Sequence, residues 1–149
     1  MNINEKVHEL YWDRNMNCAR TALICLGEIF GIEYDAQILP SAVGLHGAGG
    51  FRAQCGLVEG SLMFFGIYYS QLGKSEAEIA SICCEFAETF THQFGSLACR
   101  DLRPGGFTEN DTPHICKKIT CEAIAFTSEF IKKLIINYIC LFDYLFISS

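Results

Sequence analysis

The chain has 149 residues, a net charge of −6 and an apolar half, enough for one compact domain with its own core. Its 11 Lys and Arg are scattered, which leaves no basic groove for DNA or RNA. The opening Met1-Asn2-Ile3-Asn4-Glu5-Lys6 lacks the apolar core of a secretory signal, so the nine cysteines are expected as cytoplasmic thiols rather than as staples.

Taken in order, the elements are helical, and the expectation is an all-α bundle of about five to six helices spanning 1–149. Val7, Leu10 and Tyr11 sit at helical spacing in a first segment over about 4–14. Asn15 or Asn17 can cap a second helix that ends at Gly31, with Ala22, Leu23, Leu26 and Phe30 as its buried stripe. A short helix is expected over 36–42. The stretch SAVGLHGAGG is a glycine-rich loop, and it leads into a long apolar segment over about 52–72, read as a central helix buried on several sides. Gly56 and Gly60, four residues apart, leave one face of that helix bare, so another backbone can approach.

Ser75 with Glu78 forms a capping box, followed by Ile79, Ile82, Cys83, Phe86, Phe90 and Phe94 up to Gly95. The stretch 98–113, with Pro104, Gly105, Gly106 and Asn110-Asp111, is a loop. A last apolar helix is expected over about 114–147. Lys132, Lys133 and Asp143 interrupt it, so it is too short an apolar run to span a membrane; the expectation is a helix that is buried or forms a homodimer, with attachment to a membrane surface as the alternative.

Chemistry must come from cysteine. Cys55 stands where the glycine loop meets the central helix, and unpaired backbone N–H groups there favour a thiolate. Cys18 opens the second helix and gains from the same effect. Cys99 and Cys116 flank the proline-glycine loop, where a partner thiol can approach. Cys25, Cys83 and Cys84 fall in apolar helical stretches, Cys140 lies in the tail, and Cys121 is an ambiguous spare. His46, inside the glycine loop, can hold or relay a proton beside Cys55. His92 reads as a surface residue. Arg52 and Arg100 neighbour candidate cysteines. There is no C-x-x-C, no haem or iron–sulfur run, and no Walker loop.

The block Gly49-Gly50-Phe51-Arg52-Ala53-Gln54-Cys55-Gly56-Leu57-Val58-Glu59-Gly60 resembles the centre of a redox-active protein family named for its C-GCAxxG-C-C cysteine signature. Asn17-Cys18-Ala19, Phe94-Gly95-Ser96-Leu97-Ala98-Cys99 and Cys116 fill the other places, so the resemblance runs over roughly 15–130. It implies four signature cysteines, Cys18, Cys55, Cys99 and Cys116; Gly49, Gly50, Gly56 and Gly60, with His46 of the same loop, are the candidates to hold a cofactor. Leu57 stands where the family has alanine.

Three readings follow. In the first, the protein is a thiol/disulfide oxidoreductase or electron carrier with Cys55 attacking, one of the other three resolving, and a reductase partner restoring the dithiol. In the second, the same four cysteines hold a metal ion or an iron–sulfur cluster. In the third, the chain is a helical scaffold whose cysteines only fill the core.

Overall fold

Eight α-helices follow one another in the computed structural model, which describes residues 1–108 and 114–147, with side chains through residue 137. They are α1 (Ile3–His8), α2 (Cys18–Phe30), α3 (Ile38–Ser41), α4 (Gly47–Gly50), α5 (Gly56–Gln71), α6 (Glu76–Phe94), α7 (Cys99–Leu102) and α8 (Lys117–Ile147). Three of these, α3, α4 and α7, are single turns of four residues, and α4 is a left-handed turn whose four residues all have positive φ, so the all-α bundle rests on the other five. A π-helical stretch over Glu9–Asp13 continues α1. The Asn110-Asp111 part of the loop and the surroundings of Cys140 lie outside the described residues and side chains.

Local chemistry sets the helix ends. The Asn17 side chain accepts a hydrogen bond from the Arg20 N–H at 2.9 Å and caps α2, while Asn15 instead takes a positive φ of 45° just before it. Gly31 closes α2 in the left-handed conformation, where a Cβ would be strained. Ser75 and Glu78 form the reciprocal capping box of α6. The central helix begins at Gly56 rather than near 52, because Arg52 has a φ of +68° and Cys55 is extended. Likewise the last helix starts at Lys117, since His114 sits at φ +59°.

The core gathers around α5, which packs on α2, α6 and α8. Leu57, Val58, Phe64, Phe65 and Tyr69 are all buried, so apolar side chains leave α5 in nearly every direction. Phe65 meets Phe86 edge-on at 4.9 Å, and Phe86 meets Phe130 at 5.4 Å, tying α5 to α6 and α8. On the side facing α2 there are no side chains to interpose. A Cβ on Gly60 would lie 2.5 Å from the Ala19 carbonyl oxygen, and one on Gly56 would lie 2.5 Å from the Leu45 oxygen and 3.1 Å from Cys18 Cβ. The bare face therefore brings main chain against main chain, and it sets Cys18 directly beside the start of α5. A second, smaller core holds Val7, Leu10, Tyr11, Ala22, Cys25 and Ile124, packed between α1, α2 and α8. Among the described residues no helix is long and apolar enough to cross a membrane.

Candidate functional site

Two short strips of chain place Cys55 and Cys99. Gln54 and Ala98 form an isolated antiparallel bridge, in which the Cys55 N–H donates to Leu97 O at 2.8 Å and the Cys99 N–H to Ala53 O at 2.7 Å. Side chains alternate across such a bridge, so Cys55 and Cys99 leave it on the same face, opposite to Gln54 and Ala98. The Ser96 hydroxyl shapes the second strip: it donates to Asp101 at 2.7 Å and accepts the Ala98 N–H at 3.0 Å. Gly47, at φ +70°, lies under Cys99, whose Cβ would be 3.2 Å from a Cβ placed there.

Cys18 enters from the first residue of α2, and Cys116 from the turn before α8. The four sulfurs gather closely enough that all six pairs interact electrostatically: Cys55 feels Cys18, Cys99 and Cys116, Cys99 feels Cys18, and Cys116 feels Cys18 and Cys99. In each of these three, Cys18 is the strongest influence among the cysteines. Cys18 and Cys116 also line a cleft of about 260 Å³ with Tyr11, Asn17, His46, Arg103 and His114. Cys55 lies behind it, 5 % exposed.

Burial governs the ionisation of all four. It raises the Cys55 thiol to about 12 and that of Cys116 to about 11, and it also raises Cys18 and Cys99. The expected thiolate at Cys55 is thereby corrected. The position is as read from sequence, at the cap of α5, and the Leu57 N–H does favour the anion, but desolvation outweighs it. Opposing burial at Cys18 are a hydrogen bond from Tyr11, the residue's own N–H and the Arg103 cation.

Arg103 is the residue that sequence reading missed. It favours the anions of Cys18, Cys99 and Cys116, and it hydrogen-bonds Cys116. Its Nε donates to Gly106 O at 3.0 Å, and its guanidinium lies 4.5 Å from the Phe107 ring, on which Arg52 also rests at 4.4 Å. Arg52 favours the Cys99 anion, whereas Arg100 is exposed and has no resolved effect there. Tyr11 is the other omission, because its partners are remote in sequence.

The remaining candidates divide. His46 is exposed at the cleft, with Nδ1 3.0 Å from Val43 O, so it stands beside Cys18 and Cys116 rather than Cys55. Gly49 and Gly50, at φ +67° and +90°, are exposed with nothing near a would-be Cβ, so backbone conformation is what they supply. Gly56 and Gly60 serve the approach of α2. Leu57 is 1 % exposed and belongs to the core. Cys121 packs with Cys25 in the smaller core, away from the four. Cys83 is half-buried on α6, Cys84 is exposed, and His92 is at the surface.

Among the described residues the cysteines are free, and no group of three or more His, Cys, Asp or Glu is set to hold a metal ion. The four thiols are neighbours, but they do not present a ready ligand set.

A family model described as "Putative redox-active protein (C_GCAxxG_C_C)" matches residues 16–130. Neither a curated protein nor a solved structure matches the chain.

Proposed function

Since this chain belongs to the C-GCAxxG-C-C family of redox-active cysteine proteins, we propose that its four clustered cysteines carry out thiol/disulfide exchange, with Cys18 as the thiol that meets the substrate. The carrying observation is the convergence of Cys18, Cys55, Cys99 and Cys116, with Cys18 and Cys116 facing the cleft. The Cys18 thiolate attacks a disulfide R–S–S–R′, releases R′S⁻ and forms a mixed disulfide. A second thiolate, for which Cys55 is best placed behind the cleft, then attacks Cys18 Sγ and expels RS⁻. Two protein thiols are oxidised, the substrate becomes two thiols, and a reductase partner returns the pair to the reduced form.

This assignment reverses the roles expected from sequence. Cys55, buried and outside the cleft lining, is out of a substrate's reach but is a suitable resolving group, whereas Cys18 lines the cleft. The thiol state suits a reducing compartment, the cytoplasm. Self-association through the last helix remains part of the proposal, supported by Ile136, 58 % exposed on the part of α8 that follows the core contacts. Light scattering would read it as a dimer that Ile136→Glu dissociates.

The exchange itself is tested by titrating the anaerobically purified protein with a glutathione redox buffer, counting alkylated thiols, and mapping linked peptides by mass spectrometry. Loss of two thiols with a linkage confined to the four cysteines supports exchange. Stoichiometric metal that is lost with Cys18→Ser and Cys99→Ser would replace it with the metal reading. Nine free thiols at every potential would leave a scaffold.

A further inference from the structure

We infer that the buried Tyr11 hydroxyl, held in place by Thr120, is the hydrogen-bond donor that positions and activates the sulfur of Cys18. Tyr11 lies outside the span that the family model matches, 16–130, and belongs to the π-helical stretch after α1. Its side chain is 2 % exposed, yet its hydroxyl is aimed at the cysteine cluster, 3.5 Å from Cys18 Sγ. The same hydroxyl is 2.6 Å from Thr120 Oγ1, on a residue of α8 that is itself fully buried. Three elements thus meet at one phenol: the π stretch supplies it, α2 supplies the sulfur, and α8 supplies the second hydroxyl.

A buried phenol needs partners for its oxygen and its proton. Thr120 donating to the phenol oxygen leaves the phenol proton for the sulfur, which is the arrangement a developing thiolate selects. Burial also keeps Tyr11 protonated far above its ordinary range, so the donor survives at any pH where Cys18 ionises. The ring itself is fixed by stacking on His114 at 4.9 Å. The other groups around Cys18 are Cys55 from the cap of α5, Cys99 and Arg103 from α7 and the residue after it, and Cys116 from the turn before α8, while His46 faces the same cleft. Of these, Arg103 also favours the anion.

The role in exchange rests on the reading above, but the hydrogen bond can be tested without it. Fully reduced protein is exposed briefly to iodoacetamide between pH 7 and 10, and alkylation of the peptide carrying Cys18 is quantified by mass spectrometry, with exposed Cys84 as internal reference. Tyr11→Phe, which keeps the ring and removes the hydroxyl, is expected to move the Cys18 profile up by about one pH unit. That is about tenfold less thiolate at pH 8, with Cys84 unchanged. Thr120→Val, which leaves the phenol but removes its partner, is expected to slow Cys18 about threefold in the same direction and serves if Tyr11→Phe does not fold by circular dichroism. A folded variant whose Cys18 profile overlays the wild type overturns the inference. Because the protein is reduced throughout, an absence of disulfide formation would count against the exchange reading alone, and a flat Cys18 response against Tyr11 alone.

Discussion

Replacing Gly60 by alanine tests the main-chain contact on which the site is built. The added methyl carbon would lie 2.5 Å from Ala19 O, 3.0 Å from Ala19 Cα and 3.1 Å from Ala19 C, all backbone atoms that no rotamer change can move. Restoring an ordinary contact requires α2 to retreat from α5 by roughly 1 Å. Overpacking of this kind costs about 1–3 kcal/mol, and two rigid helices place it at the upper end. The better helix propensity of alanine returns about 1 kcal/mol, leaving a net loss of about 2 kcal/mol. In a domain of this size that lowers Tm by about 4–8 °C.

Gly66 supplies the control on the same helix, since nothing lies within 4 Å of its would-be Cβ. Gly66→Ala is expected to hold or raise Tm, by up to about 4 °C. Calorimetry of the two variants under reducing conditions, with a urea titration to confirm two-state melting, gives the comparison. The retreat of α2 also carries Cys18 away from the start of α5, so the yield of any linkage between Cys18 and Cys55 falls with Tm in Gly60→Ala. A Gly60→Ala protein that melts at or above the wild type refutes the backbone-to-backbone account of the α2–α5 contact.

Three further outcomes follow from the same geometry. Phe86→Ala empties the junction of Phe65, Phe90 and Phe130, and urea unfolding should show a loss of about 3–5 kcal/mol. Arg103→Gln removes the cation that favours the Cys18, Cys99 and Cys116 anions, so the thiol-alkylation profiles of these three should move to higher pH while Cys84 stays in place. Cys55, with a folded-state thiol near 12 against an ordinary 9.0, keeps its proton in the folded chain where the unfolded chain releases it. Its contribution is therefore complete below about pH 9 and declines by at most about 1.4 kcal/mol per unit between 9 and 12. Urea midpoints at pH 8.5, 9.5 and 10.5 should fall less steeply in Cys55→Ala than in the wild type, and equal slopes would remove Cys55 as a cause.

The helical framework was legible because each element carried its own signal. Asn17, Gly31 and the Ser75–Glu78 pair are short-range devices whose partners lie within a few residues, so their geometry follows from sequence. The spacing of Gly56 and Gly60 announced a close approach, although it could not say that Ala19 would be the residue approached. The starts of α5 and α8 were read too early because Arg52 and His114 adopt positive φ, which neither residue type advertises. At the site, location was readable and electrostatics was not. The cap position of Cys55 argued for a thiolate, but how far surrounding chain would bury it depends on contacts with the 97–99 strip and with α2. Arg103 rather than Arg100 faces the sulfurs because Arg100 lies exposed inside the four-residue turn of α7 while Arg103 follows it, an orientation set by the chain around the turn. Tyr11 and Thr120 stand 109 positions apart, beyond the reach of any local pattern.

The Gln54–Ala98 bridge has a mechanical meaning. Cys55 is fixed at the start of the central helix, whereas Cys99 opens a four-residue turn on a strip joined to it by two backbone hydrogen bonds. The pair forms a clasp: one jaw is the cap of α5, and the other is held against it by the packing of Leu97, Cys99 and Leu102 on the same core. Opening it would break the two bridge hydrogen bonds and this packing while leaving the α2–α5 contact in place, a local event rather than global unfolding. A covalent bond between the jaws would fasten the clasp, so that the exchange rates of the Cys55 and Cys99 amide protons report the oxidation state of the cluster from its backbone.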